Sequence, residues 1–309
     1  MIVTMRSTTS AQVSTRLVKL RQEGGVVALG RVMTLVILPP DEEAAERAIR
    51  VANAVSQEHP ARVVVVQPHL LSEDAPGIDA QIRVGGDAGA SEVVVLRPYG
   101  PQAEAADTLV MPLLLSDAPI VAWWPGVPHE VVAEHPVGRI ATRRITDATL
   151  DPDPPAALAR LAAGYTAGDT DISWSGITLW RGVLAAALDE PPYEDVEEVR
   201  VTGAPGHPSV RLLAAWLTDR LGCPAHVLED PDAPALSRVE LDRPSGTLTV
   251  ERPGDAHVAL FTRPGREPQE VNLARREVAN SLMEDLRRLD EDVAYGHALR
   301  SGLPRILVD

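Results

Sequence analysis

The sequence predicts an α/β (mixed α+β) protein of two domains, and three observations support this fold class. Short apolar runs with strand-like flanks alternate along the chain with helical patterns. Hydrophobic residues make up 45% of the 309 residues and charged residues 24%, as in globular proteins. The proline-rich segment 151–155 cannot hold regular structure and separates two halves of ordinary domain size. We therefore expect domains at residues 1–153 and 154–309, each with a mixed sheet that combines a βαβ unit, added antiparallel strands and packing helices.

The N-terminal half begins with a helical extension and continues as a βαβ unit. A helix is predicted over residues 11–23, and the next apolar run predicts a strand over residues 32–38. Asp41 then caps a helix that extends to residue 58, and a strand follows at residues 63–66. This order within about forty residues is typical of two parallel strands joined by a right-handed crossover. The remaining elements predicted for this half are strands at residues 80–84, 93–96 and 120–124 and a helix at residues 104–115.

The C-terminal half repeats this plan without matching it residue by residue, so a duplication stays an open question. Turn signals at Pro244-Ser245-Gly246 and at Pro253-Gly254 separate its last three strands. The predicted helices are at residues 156–163, 174–188, 209–221 and 273–289, and the predicted strands are at residues 196–201, 225–228, 239–241, 247–250 and 258–261.

Composition restricts the partners and the compartment. The chain has 29 Lys and Arg residues against 44 Asp and Glu residues, and its net charge of −15 repels the phosphates of nucleic acids. Neither a signal peptide nor a membrane-spanning stretch is recognisable, so we expect a cytoplasmic protein without a membrane partner. The single cysteine, Cys223, is expected to be a buried thiol outside any internal disulfide.

The sequence contains no recognisable constellation for catalysis or metal binding. His129-Glu130 resembles the start of a zinc-protease motif, but Ala133 stands where the second histidine is required. The glycine-rich segment 85–89 follows a strand, yet it lacks the spacing of a P-loop or a dinucleotide site and is interpreted as a turn. We therefore expect no catalytic residue, no metal and no cofactor.

The tryptophans are the most informative residues, because aromatic side chains make up only 3% of the chain. Trp123 and Trp124 end a predicted strand at the carboxyl edge, where open parallel sheets bind their ligands. Adjacent residues of a strand face opposite sides. Either one ring is presented outward, or both rings pack in the core.

A second group of informative residues lies on the predicted helix 174–188. Trp174 and Ile177 form one stripe, Trp180 flanks it and Arg181 falls within it. An unpaired guanidinium on an apolar face would be costly. Two interpretations remain open: an internal ion pair for Arg181, or a protein interface, where Trp and Arg most often carry the binding energy.

These segments belong to a longer ordered series along the chain. The series consists of residues 30–36, 59–62 and 79–85, Ala122-Trp123-Trp124-Pro125, Arg143-Arg144-Ile145-Thr146-Asp147-Ala148, residues 171–181 and Glu284-Asp285-Leu286-Arg287-Arg288-Leu289-Asp290. In this order it resembles the actinobacterial form of the OpcA family of glucose-6-phosphate dehydrogenase assembly proteins, over nearly the whole length. The sequence departs from the family at Gly176, where relatives usually carry arginine, and it lacks the paired cysteines of a thioredoxin-responsive mechanism.

The resemblance implies a non-catalytic protein that binds glucose-6-phosphate dehydrogenase, promotes its active oligomer and so supports NADPH supply through the oxidative pentose phosphate pathway. The expected partner-binding residues are Trp123, Trp124, Arg143, Arg144, Trp174, Trp180 and Arg181. An alternative function also stays open. In it, the turn at residues 85–89 and Arg143-Arg144 hold a sugar phosphate or nucleotide, and the protein is a metabolite sensor or an enzyme.

Overall fold

A computed structural model describes residues 1–23, 30–67, 77–84, 92–254 and 256–309 of the chain. It confirms the predicted α/β class. The chain divides into two compact units: Met1–Asp147 with Leu282–Asp290, and Ala148–Ser281 with Glu291–Asp309. Contacts alone do not show that a segment folds by itself, so the predicted domain boundary after residue 153 stays a prediction.

The first unit is built on a mixed sheet. Its strands are β1 (Ile2–Thr8), β2 (Met33–Ile37), β3 (Ala61–Val66), β4 (Gly77–Arg83), β5 (Glu92–Tyr99), β6 (Ile120–Trp123) and β7 (Arg143–Thr146). They lie in the order β1-β4-β5-β3-β2-β6-β7. β2, β3, β5, β6 and β7 are parallel, whereas β4 runs antiparallel to both β1 and β5. Every residue of β2 and β3 is buried, as in strands of a sheet that is covered on both faces.

The helices of the first unit are α1 (Ser10–Glu23), α2 (Glu42–Val55), α3 (Ala106–Val110) and α4 (Pro136–Ile140). The predicted βαβ unit is present as β2, α2 and β3. The Asp41 side chain accepts a hydrogen bond from the Ala44 amide at 2.7 Å. Two glutamates in the first turn of α2 interact favourably with the partial positive charge at its amino end.

A cluster of charges attaches α1 to the sheet. Glu92, at the start of β5, is buried and forms ion pairs with Arg21 of α1, with Arg31 and with Arg62 of β3. Arg62 also donates to the Leu113 carbonyl at 2.7 Å. The predicted N-terminal extension is therefore an integral part of the first unit.

The structure of the first unit differs from the predictions in a helix and in strands. The single helix expected over residues 104–115 is wrong, because Pro112 has no amide hydrogen for a helical bond and the chain forms a 3-10 turn at Met111–Leu113 after α3. β1 and β7 were not predicted. β1 is an edge strand with mostly exposed residues, and β7 begins with two arginines, so neither shows the apolar run of a buried strand.

The second unit contains a separate mixed sheet. The strands of this unit are β8 (Asp169–Asp171), β9 (Glu198–Gly203), β10 (Ala225–Glu229), β11 (Leu236–Asp242), β12 (Leu248–Glu251), β13 (Val258–Thr262), β14 (Gln269–Asn272) and β15 (Leu307–Val308). Its sheet has the order β14-β13-β12-β11-β9-β10-β15. β9, β10 and β15 are parallel, and β11 to β14 continue from β9 as an antiparallel series. β8, β14 and β15 were not predicted.

The helices that begin in the second unit are α5 (Pro154–Ala163), α6 (Ile172–Gly176), α7 (Thr178–Leu188), α8 (Pro208–Leu221), α9 (Val278–Arg287) and α10 (Val293–His297). The single helix predicted over residues 174–188 is wrong. At Ile177 the backbone leaves helical geometry, with φ −96° and ψ 8°, and separates α6 from α7. Within the part of the chain that the structure describes, no helix combines the length and apolar character needed to cross a bilayer.

α8 connects β9 to β10 as the βαβ unit of this sheet. Pro208 occupies its first turn, where a missing amide hydrogen costs nothing, and His207 precedes it as the N-cap. Gly222 ends the helix as predicted, with a left-handed φ of 73° that suits glycine. The N-terminal end of α8 is therefore held in a defined place, beside the cavity described below.

Candidate functional site

The tryptophan pair predicted for partner binding lies in the interior of the first unit. Trp123 is 2% exposed and Trp124 is 4% exposed, so both rings pack in the core. The Trp124 ring meets the His135 ring edge-on, with centroids 5.6 Å apart. Its backbone amide donates to the Ile145 carbonyl at 2.8 Å, which fixes the end of β6 against β7.

The arginine pair of β7 is also turned inward. Arg143 donates to the Asp285 carboxylate at 3.0 Å and to the Asp290 carbonyl at 2.8 Å. Arg144 donates to the carbonyls of Gly138 and Ala141 at 3.3 and 3.1 Å. The structure thus brings together two segments of the ordered series, residues 143–148 and residues 284–290, although 142 positions separate Arg143 from Asp285.

In the second unit, the tryptophans of α6 and α7 pack against arginines. Trp174 is buried and donates from its indole nitrogen to the Asp292 carboxylate at 2.7 Å. The Arg181 guanidinium lies 3.8 Å from the centroid of the Trp174 ring and also donates to the Thr178 hydroxyl. Trp180 is 3% exposed, and the guanidinium of Arg252 lies 5.4 Å from its ring. These contacts are internal cation–π pairs.

Six of the seven predicted partner-binding residues are buried, and Arg181 is half-buried. Their role in partner binding stays a prediction, but any such role has to act through the surface that they support. Of the two interpretations of Trp123 and Trp124, the one in which both rings pack in the core matches their positions. The glycine-rich segment 85–89 lies outside the described residues.

A cavity of about 160 Å³ lies within the second unit. Residues of α6, the amino end of α8, the loop after β14 and the amino end of α9 line it. Its polar lining side chains are Thr149, Ser173, His207, Ser209, Arg252, Arg275, Arg276 and Ser281. Sequence reasoning missed this site, because its members come from separate segments and only the adjacent pair Arg275-Arg276 stands out in the sequence.

Arg252 forms the buried side of the cavity. Arg252 is only 4% exposed, and its guanidinium donates to the carbonyls of Leu273 and Leu236 at 3.1 and 2.9 Å. These bonds hold the guanidinium in place. Arg252 therefore forms a fixed wall of the cavity.

His207 lines the same cavity in its neutral form. Burial, and secondarily the positive charge of Arg275, lower the pKa of His207 from 6.5 to about 4. Its Nδ1 accepts a hydrogen bond from the Ser209 amide at 3.2 Å, so the proton of the neutral ring is on Nε2. The ring is thus a hydrogen-bond donor at neutral pH.

Possible metal ligands and the thiol of Cys223 are the remaining candidates for a reactive site. No group of three or more His, Cys, Asp or Glu residues among them is placed to hold a metal ion. Cys223 is a free and buried thiol, as predicted, and burial raises its pKa.

The fold and these contacts define the class: a two-unit α/β protein with separate mixed sheets and with arginine and tryptophan side chains packed inside. Two family models match the sequence. The one described as the glucose-6-phosphate dehydrogenase subunit N-terminal domain matches residues 52–163, and the corresponding C-terminal domain model matches residues 167–299. The chain belongs to this OpcA family. No curated protein matches the sequence.

Solved structures with a similar arrangement are distant. The 3-ketoreductase KijD10 from Actinomadura kijaniata, in complex with TDP-benzene and NADP, is 11% identical, with a TM-score of 0.48 over 90% of this chain and 99% of that chain. An NAD binding oxidoreductase from Klebsiella pneumoniae is 9% identical, with a TM-score of 0.47 over 89% and 96%. Scores this low at such identities say nothing about the function of this chain.

Breaking the Arg143–Asp285 pair is expected to destabilise the protein strongly. Arg143→Ala and Asp285→Ala each remove one member of a buried ion pair, and we expect each to lower the free energy of unfolding by about 3–5 kcal/mol. Arg143→Met/Asp285→Leu should cost much less than the sum of the two single changes. Urea unfolding of the wild type, the two single variants and the double variant measures these differences in a double-mutant cycle.

The control is Arg287→Ala in α9, the helix that also contains Asp285. It breaks a half-exposed pair with Glu58 and should cost less than about 1 kcal/mol. Equal losses for Arg143→Ala and Arg287→Ala would contradict the internal role.

The low pKa of His207 predicts an acid-dependent loss of stability. Between its folded value of about 4 and its unfolded value of 6.5 the unfolded chain binds more protons, so the free energy of unfolding falls as the pH falls through this window. His207→Gln, which cannot take up the proton, should show a smaller loss over the same window. A His207 pKa near 6.5 in an NMR titration would refute the prediction.

Proposed function

We propose that this chain is a non-catalytic, cytoplasmic assembly protein that binds glucose-6-phosphate dehydrogenase and promotes its active oligomer in the oxidative pentose phosphate pathway. One observation carries the proposal: the OpcA family models, whose descriptions name subunit domains of that dehydrogenase, match residues 52–163 and 167–299. The matches include parts of both units, so the proposal concerns the chain as a whole.

Mass action gives this function a physical basis. A protein that binds one oligomeric state of an enzyme more tightly than another raises the population of that state by the difference in binding free energy. The chain then needs no catalytic side chain of its own. Activation of the dehydrogenase follows from a larger fraction of active oligomer and increases with the concentration of this chain.

The buried tryptophans and arginines support the binding surface without forming it. Trp123, Trp124, Arg143 and Arg144 fix the ends of β6 and β7, and the Trp174, Trp180 and Arg181 group fixes α6 and α7. We propose that these seven residues influence the dehydrogenase by holding surface segments in place. The net charge of −15 favours a basic surface on the partner, so binding should weaken as salt concentration rises.

A second candidate function is the recognition of a phosphorylated metabolite. Arg143 and Arg144, which the sequence suggested as phosphate-binding residues, do not favour this function, because they donate hydrogen bonds inside the first unit. The cavity of the second unit supports it better, because Arg252, Arg275 and Arg276 are among its lining residues and guanidinium groups recognise phosphates. This function is compatible with dehydrogenase binding.

The assembly function is tested with the cognate dehydrogenase at a fixed concentration and increasing amounts of this chain. We expect size-exclusion chromatography with light scattering to show a larger fraction of the higher oligomer, and the specific activity to rise in parallel. The dehydrogenase with an unrelated acidic protein at the same concentrations is the control. An unchanged oligomer together with an unchanged rate, over the whole titration, would overturn the proposed function.

A further inference from the structure

We propose that two copies of this chain pair through β1, the edge strand of the first sheet, as antiparallel strands related by a twofold axis at Thr4. The proposal rests on the length and composition of this edge, on the direction of its backbone groups and on the match between its residues when the strand pairs with itself. It concerns this chain alone and does not depend on the dehydrogenase.

β1 is an edge strand that can accept a further strand. It pairs with β4 on one side, and no other described strand lies on its second side. Edge strands usually avoid such pairing by being short or by carrying prolines and charges. β1 has seven residues, no proline and one charged side chain, Arg6. The edges of the second sheet are β15, with two residues, and β14, with four residues that include Glu270. β1 is therefore better suited to strand addition than either of those edges.

The hydrogen bonds to β4 determine which backbone groups of β1 point outward. The Met1 amino group donates to the Val84 carbonyl at 2.8 Å, and the Val84 amide donates to the Met1 carbonyl at 3.0 Å. Bonded and non-bonded pairs alternate along an antiparallel ladder, so every second residue after Met1 also bonds to β4. The N–H and C=O groups of the residues between them, Ile2, Thr4 and Arg6, point away from β4, and no described strand bonds to them.

A second copy satisfies these groups in one antiparallel register. When Thr4 lies opposite Thr4 of the other copy, Ile2 lies opposite Arg6 and Arg6 lies opposite Ile2. Each opposed pair then exchanges both of its backbone hydrogen bonds. A shift by one residue would turn the side chains of one strand to the other face. The contact is thus isologous, with the same segment on both sides of a twofold axis.

The same register matches the side chains on both faces. Ile2, Thr4 and Arg6 are exposed, and Ile2 is 54% exposed. In the pair, Thr4 meets Thr4 and the aliphatic part of Arg6 covers Ile2. On the opposite face Val3 meets Met5, and both are half-buried against the hydrophobic core of the first unit. A second strand therefore extends this core and removes further apolar surface from water.

Charge and backbone geometry limit the contact to this segment. The net charge of −15 opposes association, but residues 1–22 contain no Asp or Glu, so the paired strands bring no carboxylates together. At 3.4 Å per residue the two Arg6 positions lie roughly 14 Å apart, beyond the Debye length of about 8 Å at physiological ionic strength. Ser7 has a φ of 45°, and the register with β4 shifts after Met5. The strand bends there, so pairing ends at Arg6.

The test measures the oligomeric state of the full chain by sedimentation velocity over a range of concentrations, without the dehydrogenase. We expect a monomer–dimer equilibrium. Thr4→Lys and Thr4→Glu each place like charges opposite each other, and each should raise the dimer dissociation constant about fivefold or more at low salt. An equimolar mixture of the two variants pairs lysine with glutamate and should return the dissociation constant to within about twofold of the wild-type value. A wild-type chain that is monomeric at every concentration, into the submillimolar range, overturns the proposal.

Thr108→Lys is the matched control. Thr108 is exposed on α3, which packs against β3, and both β4 and β5 lie between β3 and β1. The added charge there should change the dissociation constant less than about twofold. If the Thr4 and Thr108 variants dimerise alike, the interface lies elsewhere and the proposal is wrong. If both Thr4 variants weaken the dimer and their mixture does not recover, Thr4 does not face itself, which overturns the twofold pairing.

Thr4→Pro tests the backbone bonds separately from charge. Proline is tolerated in an edge strand where the amide faces solvent, so we expect the variant to fold, which urea unfolding verifies. Both copies lose the amide that bonds the opposite Thr4 carbonyl, and the dissociation constant should rise about tenfold or more. Unchanged dimerisation of the folded variant would contradict strand pairing. All measurements omit the dehydrogenase, so their failure leaves the assembly function to its own test.

Discussion

Buried guanidinium groups have to find partners inside the protein, and this requirement determines much of how the chain is arranged. Leaving one unpaired in the interior costs several kcal/mol or more. Arg143 and Arg144 donate hydrogen bonds to a carboxylate and to main-chain carbonyls, and Arg252 donates to two carbonyls. Arg62 shares the buried Glu92 with two further arginines. The Arg143 contact and the Glu92 cluster join segments that are far apart in the sequence, whereas the Arg144 contacts stay within six positions.

The same requirement explains which elements the sequence predicts and which it does not. β2, β3 and α2 follow from apolar runs and a capping aspartate, which are local signals. β7 consists of Arg143, Arg144, Ile145 and Thr146, and its burial depends on contacts 142 positions away, so no local pattern reveals it. β1 is different, since alternation of Val3 and Met5 with Thr4 and Arg6 gives only a weak edge-strand signal.

The candidate site shows the limits of sequence reasoning more sharply. Tryptophan and arginine carry binding energy at interfaces and also form cation–π pairs inside proteins, and only the fold separates these uses. Trp174 and Arg181 were expected to share a stripe, and they do contact each other, yet as an internal stack. The cavity was not predictable at all, because His207, Arg252 and Arg276 come together only through the packing of α8, the sheet and the start of α9. Residues that carry a family resemblance therefore need not be the residues that touch the partner.

Surface recognition is the central claim, and hydroxyl-radical footprinting measures it residue by residue, in the free chain and in the presence of glucose-6-phosphate dehydrogenase. Tyr193, which is 78% exposed, is the internal reference for a reactive aromatic side chain. We predict that Trp174 and Trp180 react far more slowly than Tyr193 in both states, while the dehydrogenase protects a set of exposed residues. Rapid oxidation of Trp174 and Trp180 in the free chain, suppressed by the dehydrogenase, would show that these rings form the interface and would contradict the claim.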